Sequence, residues 1–152
     1  EREYSLTTKN RPMFSRPESR KNRWSLNDNY LRFWFRFIFP NQSLIEMGKY
    51  DLLREVIDRG YEQYSGLVLE KYFRTKIAKE ERITGIGSYW NNKGENEIDV
   101  IAINDLDKTA IVAEVKRNPK KIDMNILQSK VHSVKELIKY KVELQGLSLE
   151  NM

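Results

Sequence analysis

Hydrophobic and polar positions follow two different periods in the second half of the chain. Apolar side chains recur at helical spacing over residues 61–79 and again over residues 123–140. Short runs rich in Ile, Val and aromatic residues, bounded by turn-like segments, instead have the character of β-strands. These predicted strands are residues 83–90, 97–103 and 109–116, and residues 141–147 can form a last strand. From residue 61 onward the predicted order is therefore αβββαβ, a fold of the α/β (α+β) class.

The first 29 residues have a basic pattern that is interrupted by proline. They contain seven Lys and Arg residues against four Asp and Glu residues, together with Pro12 and Pro17. Two β-like pieces, residues 4–7 and 23–26, flank the basic loop and predict a hairpin or wing. Such a loop suits contact with phosphate groups, and a solvated basic loop without a ligand is the equally weighted alternative.

An aromatic run forms the most unusual pattern of the sequence. A short polar side chain, Asn27 or Asp28, is expected to cap a helix over residues 29–39, which Pro40 would end. Aromatic and aliphatic residues surround nearly the whole circumference of this helix, and two arginines four positions apart form its polar stripe. We therefore expect a helix buried on most sides, which serves as a packing hub. An aromatic box that stacks on a cofactor or a base is the alternative.

A second short helix is expected between this run and residue 61. Residues 51–58 have helical character, and Gly60 is well suited to cap their C-terminal end. Residues 28–60 are thus interpreted as a helical linker and hub in front of the αβββαβ region. The long helix that follows carries Glu70 at the edge of its apolar face.

Composition and charge restrict the class of protein. The 152 residues carry 27 Lys and Arg against 22 Asp and Glu, a formal net charge of +5. No run approaches the roughly 18 uncharged apolar residues of a membrane helix, so a spanning helix is not expected. The first residues have no initiator Met and lack the order of a signal peptide, and we interpret the chain as part of a longer protein. Cysteine is absent, which excludes disulfides, thiol nucleophiles and Cys-ligated zinc and accords with the reducing cytoplasm, where we expect the protein.

Candidate chemistry lies on the second and third predicted strands. Glu97 and Asp99 begin one strand, and Glu114 and Lys116 end the next. Because side chains alternate along a strand, each pair is expected to share a face, and an antiparallel meander brings the two strand ends to one sheet edge. Asp99 and Glu114 offer hard oxygen ligands for Mg²⁺ or Mn²⁺, and Glu70 would add a third ligand. Lys116 would orient or help deprotonate an attacking water and offset charge on a phosphate.

The alternative for these four strand residues is a set of solvated cross-strand ion pairs. Such pairs contribute a few tenths of a kcal/mol and carry no chemistry. The apolar run before each charged pair, and the placement of both pairs at one sheet edge, favour the catalytic interpretation.

Asp99, followed after a hairpin by Glu114-Val115-Lys116 in an αβββαβ order, resembles the PD-(D/E)xK restriction-endonuclease-like superfamily. The resemblance covers residues 61–147 and implies a central mixed sheet with Mg²⁺ or Mn²⁺ as the cofactor. The site residues that it implies are the metal ligands Asp99, Glu114 and Glu70, the catalytic Lys116, and the supporting Glu97 and Gln128. A glutamine on the helix surface is the alternative for Gln128, and Ile98 stands where the family name has proline.

A narrower resemblance covers the whole chain. The aromatic run, the Glu97-Ile98-Asp99 strand and the Glu-Val-Lys motif resemble the C-terminal region of archaeal-type AAA-family ATPases, a domain of unknown function that follows a nucleotide-binding domain and a winged helix. The implied parts are the end of the winged helix at residues 1–27, the linker at 28–60, the nuclease-like domain at 61–152 and a natural C-terminus at 147–152. No G-x-x-x-x-G-K-S/T motif occurs, so ATP binding is not expected in this chain.

The resemblance also implies partners and two competing functions. The expected partners are DNA, the N-terminal ATPase domain of the same polypeptide and further copies of the chain, but not a membrane. The candidate nucleic-acid contacts are Arg11, Arg16, Arg20, Lys21, Arg117, Lys120 and Lys121. The chain is expected either to bind DNA and hydrolyse it with Mg²⁺, or to be an inactive nuclease-like fold that binds DNA or a partner. A structural scaffold for oligomers is a third alternative.

Overall fold

The computed structural model describes residues 6–18, 21–80, 82–91 and 96–152. Two compact units are present, the first formed by residues 6–10 and 23–68 and the second by residues 11–18, 21–22 and 69–152. None of the helices that the described residues form is long and apolar enough to cross a membrane. The division of the chain at residues 27 and 60, and the winged helix, stay predictions.

A two-stranded antiparallel hairpin begins the first unit. Its strands are β1 (Thr7–Asn10) and β2 (Arg23–Leu26), with Thr7 opposite Leu26. Asn27 accepts a hydrogen bond from the Thr8 hydroxyl at 2.6 Å, just beyond the end of β2. The predicted hairpin is confirmed, but its first strand starts at Thr7 instead of ending there, and residues 4 and 5 lie outside the described residues.

The aromatic run is helical over a longer path than the sequence indicates. Asp28 caps helix α1 (Asn29–Phe33) by accepting a hydrogen bond from the Leu31 amide at 2.8 Å. The chain continues through a wide π-helical segment, a tight 3-10 turn at Phe39–Asn41, and helix α2 (Gln42–Glu46). Pro40 therefore does not end the helical run. It lies in the first turn of the 3-10 segment, where a backbone amide would have no hydrogen-bond partner within the helix, so the amide that proline lacks is not missed.

The expectation that the aromatic helix is buried on most sides is wrong. Phe37 is buried, but more than half of the Tyr30, Phe35 and Phe39 side chains is exposed. One side of the run packs on the next helix, where Phe37 contacts the Tyr64 ring at 5.7 Å between centroids. The other rings stack along the run itself, with Phe35 and Phe39 5.8 Å apart, so they are only partly covered.

A single helix, α3 (Tyr50–Ile77), replaces the two helices that the sequence predicts. Gly60 lies inside α3, where an added Cβ would stand 2.6 Å from Cε1 of Phe37. Glycine at this position therefore allows close packing and does not cap a helix. The glycine in the left-handed conformation is Gly48, with φ of +67°, just after the end of α2.

The second unit contains a four-stranded mixed sheet. Its strands are β3 (Gly85–Trp90), β4 (Glu97–Asn104), β5 (Thr109–Val115) and β6 (Lys141–Leu147). They lie in that order. β3 and β4 pair antiparallel, as do β4 and β5, whereas β5 and β6 pair parallel. The predicted α/β (α+β) class and the αβββαβ order are confirmed, because α3 precedes the meander and helix α4 (Met124–His132) connects β5 to β6.

Helix α4 is shorter than the predicted helix over residues 123–140. Asp123 caps it by accepting two hydrogen bonds from amides of the first turn, and the helix ends at His132. Val134 then leaves the helical conformation and is fully buried, before a 3-10 turn at Lys135–Lys139. The apolar spacing continues past the helix end because this segment contributes to the same core as α4.

Two hydrophobic clusters cover the two faces of the sheet. Val100 and Ala102 pack in a cluster with the C-terminal part of α3, whereas Ile101 and Ile103 pack in a cluster with Leu127 of α4. Neighbouring residues of a strand point to opposite faces, so the two helices lie on opposite sides of the sheet. The central strands are buried between them, which leaves the strand ends as places for polar chemistry.

The loop at residues 11–22 belongs to the second unit. The Met13 amide donates a hydrogen bond to the Ser88 carbonyl of β3 at 2.8 Å. Met13 also lies so close to Gly87 that an added Cβ would stand 2.8 Å from Met13 Cγ. The loop thus covers part of the edge strand, whose unpaired backbone groups would otherwise be open to other strands.

Candidate functional site

A bulge interrupts β4 at the predicted site. Gly87 and Tyr89, two positions apart on β3, pair with Ile101 and Ile98, three positions apart on β4. The extra residue lies between Ile98 and Ile101, which accordingly pack in the same cluster. Strict alternation, on which the prediction that Glu97 and Asp99 share a face depends, is therefore broken in this segment.

Asp99 lies in the bulged segment and is nearly buried, with 9% of its surface exposed. Its Oδ2 accepts a hydrogen bond from the Val115 amide at 2.8 Å, across the pair of strands β4 and β5. Val100 is paired with Ala113 in the same register. The start of β4 thus lies beside the end of β5, as the sequence predicts, and a backbone amide fixes the Asp99 carboxylate.

Lys116 connects the two strand-end carboxylates. It directly follows β5, and its Nζ lies 2.7 Å from Oε1 of Glu114 and 3.7 Å from Oδ2 of Asp99. Glu114 is itself buried. The predicted convergence of Asp99, Glu114 and Lys116 is therefore present in the structure.

Lys130 is a member of this cluster that the sequence analysis missed. It lies on α4, and its Nζ donates a hydrogen bond to Oε2 of Glu114 at 3.0 Å. The predicted residue of this helix, Gln128, is exposed instead. A signal does exist, because Lys130 lies three residues after the fully buried Leu127 and hence on the same face of the helix.

Glu70 lies on α3 between the buried residues Leu69 and Phe73, and it is partly buried itself. Burial, reinforced by the negative charge of Asp99, raises the pKa of Glu70 from 4.5 to about 7. The positive charges of Arg74 and Lys116 act in the opposite direction but are outweighed. Glu70 is therefore a carboxyl group that exchanges a proton near neutral pH, as a general acid or base must.

The cluster consists of Asp99, Glu114, Lys116 and Lys130, and the charges of these four residues depend on one another. Burial above all raises the pKa of Asp99, although the hydrogen bond from Val115 favours the ionised form. Burial also opposes ionisation of Glu114, but the hydrogen bonds from Lys116 and Lys130 hold the pKa of Glu114 below its usual value. Burial would lower the pKa of Lys116, yet its two carboxylate neighbours keep it raised. In their ionised forms, two carboxylates thus balance two ammonium groups.

Comparison with known proteins places the chain in a family. The sequence profile of the DUF234 family, described as archaeal and bacterial proteins of unknown function, matches residues 34–130. The match covers more than half of the chain and extends from the aromatic run to Lys130. The chain belongs to this family. The AAA-ATPase and PD-(D/E)xK assignments stay predictions.

A longer relative shares most of this DUF234 chain. An uncharacterized protein of Methanocaldococcus jannaschii is 42% identical over 112 residues, which represent 69% of this chain and 25% of the relative. The chain therefore spans about a quarter of the length of that relative. No solved structure matches the chain.

The other predicted site residues of the DUF234 chain differ in their exposure. Glu97 is exposed at the first position of β4, and its charge contributes to the raised pKa of Glu70. Arg117 directly follows Lys116 and is partly buried. The candidate nucleic-acid contacts that are exposed are Arg11, Arg16, Lys21, Lys120 and Lys121. Arg20 lies outside the described residues.

The donor set can be compared with what a divalent metal ion requires. Over residues 6–18, 21–80, 82–91 and 96–152, no three His, Cys, Asp or Glu side chains form a group placed to hold a metal ion. Asp99, Glu114 and Glu70 are thus not assembled as a three-ligand centre in this structure. The carboxylate oxygens of Asp99 and Glu114 are nevertheless the type that Mg²⁺ and Mn²⁺ prefer, with water and phosphate as further ligands. The metal therefore stays a prediction, with two candidate protein ligands at one sheet edge.

Proposed function

We propose that the second unit binds DNA and hydrolyses its phosphodiester bonds with Mg²⁺ or Mn²⁺, as the nuclease-like C-terminal domain of an AAA-type ATPase. The observation that carries the proposal is the convergence of Asp99, Glu114 and Lys116. Lys116 Nζ lies 2.7 Å from the Glu114 carboxylate and 3.7 Å from the Asp99 carboxylate. The αβββαβ order of the unit and its mixed sheet support the same resemblance. The ATPase domain and further copies of the chain are the proposed protein partners.

Three residues of the cluster and Glu70 have a role in this proposal. Asp99, fixed by the Val115 amide, and Glu114 would hold the metal ion. The ion, when bound, would stabilise charge on the phosphate and make a bound water more acidic. Lys116 would orient the attacking water, and Glu70, with a pKa of about 7, would accept the proton of that water near neutral pH.

The basic residues of the second unit would hold the DNA backbone. Arg117 directly follows Lys116 in the sequence, and Lys120 and Lys121 come shortly after it and are exposed. Arg11 and Arg16 are exposed on the loop that belongs to the same unit. Such side chains neutralise phosphates and release counterions, so DNA binding is expected to weaken steeply as the salt concentration rises.

A metal titration combined with a plasmid assay tests the proposal. Mn²⁺ binding is measured by calorimetry, and nicking of supercoiled plasmid is followed with and without EDTA, for wild type, Asp99→Ala and Glu114→Gln. We expect metal binding and nicking in the wild type and loss of both in each variant. Glu143→Gln is the matched control, because Glu143 is an exposed carboxylate on β6 of the same sheet. Nicking that persists unchanged in both cluster variants would refute the proposal.

A second candidate function is favoured by the ion pair between Lys130 and Glu114. Two lysines balance two carboxylates in the cluster, so its charges are compensated without an ion. An inactive nuclease-like fold that binds DNA or a partner protein would have this property. In that case Asp99→Ala leaves DNA affinity unchanged, whereas Ala at Lys120 and Lys121 lowers the affinity and its dependence on salt.

A further inference from the structure

We propose that Lys130 is an exchangeable counter-ion of Glu114, which moves to a DNA phosphate and thereby frees Glu114 for the metal ion. The inference rests on the proposed nuclease function and adds a coupling between its two ligands. Metal and DNA would each bind weakly alone and strengthen the binding of the other. The argument depends on the contacts of Glu114 and on the charge of the cluster.

Both oxygens of Glu114 already have an ammonium partner. Lys116 Nζ lies 2.7 Å from Oε1, and Lys130 Nζ lies 3.0 Å from Oε2. A divalent ion that uses Glu114 as a ligand must therefore take the place of one lysine. The structure itself indicates which of the two contacts is the weaker.

Lys130 is the lysine that can leave. Lys116 is held by two carboxylates, Glu114 and Asp99. Lys130 pairs, within the part of the chain that the structure describes, with the Glu114 carboxylate alone, and the distance is longer by 0.3 Å. It comes from α4, and a lysine stem is flexible enough to move its charge to a neighbouring anion.

The charge of the cluster explains why two ligands would bind better than one. Two carboxylates and two ammonium groups compensate each other before either ligand arrives. Addition of a divalent cation alone leaves an excess of positive charge, and addition of phosphate alone places an anion beside two carboxylates. When both are present, Lys130 pairs with phosphate and Glu114 pairs with the ion, so the phosphate reduces the excess of positive charge that the ion alone would leave. Such mutual enhancement is a coupling free energy between two sites.

Mn²⁺ titrations of the full chain, with and without a short phosphorothioate duplex that resists cleavage, measure this coupling. In the wild type we expect the duplex to tighten Mn²⁺ binding by a factor in the range of about 5 to 150. Lys130→Met removes the ammonium and keeps an unbranched side chain of nearly the same length, so Mn²⁺ should bind more tightly without DNA and gain less from the duplex. Lys135→Met is the matched control, because Lys135 is an exposed lysine just after α4, and it should behave as the wild type.

The outcomes separate this inference from the proposed function. If Lys130→Met binds Mn²⁺ no more tightly than the wild type and shows the same coupling to DNA, the inference is wrong, although a metal-binding nuclease would still stand. If neither protein binds Mn²⁺ at millimolar concentration, with or without DNA, the proposed function fails and the inference fails with it. Lys130→Gln keeps a neutral donor for Glu114 and gives the same comparison if the Met variant does not fold. The expected result for Lys130→Gln is again tighter metal binding without DNA.

Discussion

Replacement of Glu70 by glutamine tests the burial of a carboxyl group next to Asp99. The pKa of Glu70 is raised from 4.5 to about 7, chiefly because its charged form is poorly hydrated on α3. The folded chain therefore keeps a proton in the pH range where the unfolded chain has released it. Linkage then requires that the free energy of unfolding decreases as the pH rises from about 4.5 to about 7 and is constant above that range. Glutamine has a similar shape and no charge, so it removes this loss.

The size of the effect follows from the shift of the pKa. A rise from 4.5 to about 7 corresponds to a difference in stability on the order of 3 kcal/mol between low pH and pH 8. Glu70 is partly exposed, and solvent screening reduces this value. We therefore expect Glu70→Gln to be more stable than the wild type by about 1 to 3 kcal/mol at pH 8, and to differ by less than about 0.5 kcal/mol at pH 4.

Urea denaturation followed by circular dichroism, in EDTA and at four pH values between 4 and 8, measures this difference. Glu143→Gln serves as the control, because an exposed carboxylate should give no pH-dependent difference. Two results would contradict the reasoning. One is a Glu70→Gln variant less stable than the wild type at pH 8, and the other is a difference that does not change with pH.

Two further predictions concern packing and a partly buried hydrogen bond. Gly60→Ala should destabilise the protein by about 1 to 3 kcal/mol, because the new methyl group would meet the buried Phe37 ring at 2.6 Å. Gly66→Ala in the same helix has open space and should instead stabilise it by up to about 1 kcal/mol, so thermal melts that rank the two alike would contradict this assignment. Tyr140 donates a hydrogen bond to Asp105 at 2.6 Å, which raises the pKa of Tyr140 to about 12. Tyr140→Phe should lower stability by about 0.5 to 1.5 kcal/mol and remove one late tyrosine from a spectrophotometric titration, and an unchanged titration would be the contrary result.

The strands could be predicted from sequence because their signals are local. Residues 141–147 form β6 as predicted, and the other three strands, which are rich in β-branched or aromatic residues and bounded by turn residues, lie within a few positions of their predicted bounds. The helix boundaries were predicted less well where they depend on tertiary packing. Gly60 has the local signature of a cap, but the Phe37 ring beside it explains its presence inside α3. No local pattern contains that contact, which joins residues 23 positions apart.

The candidate site divides in the same way. The neighbourhood of Asp99, Glu114 and Lys116 follows from strand adjacency in a meander, and the structure contains it. Lys130 reaches Glu114 only because α4 packs across the sheet, an arrangement that depends on the whole core. The bulge beside Asp99 could not be predicted from the sequence either, because it is defined by the register of β3 against β4. Sequence reasoning thus finds partners along and across strands and misses those supplied by tertiary packing.

Residues 11–22 belong to the second unit but lie between two segments of the first, so no single cleavage of the chain separates the two units. The chain leaves the first unit after Asn10, returns to it at Arg23 and leaves it again after Val68, so the second unit is discontinuous in sequence. A truncated protein that starts at residue 69 would lack Met13 and its hydrogen bond to Ser88. The edge of β3 would then be bare, and such an edge invites strand addition and aggregation. For protein engineering, the practical unit is therefore the whole chain, or a second unit to which residues 11–22 have been rejoined by a designed linker.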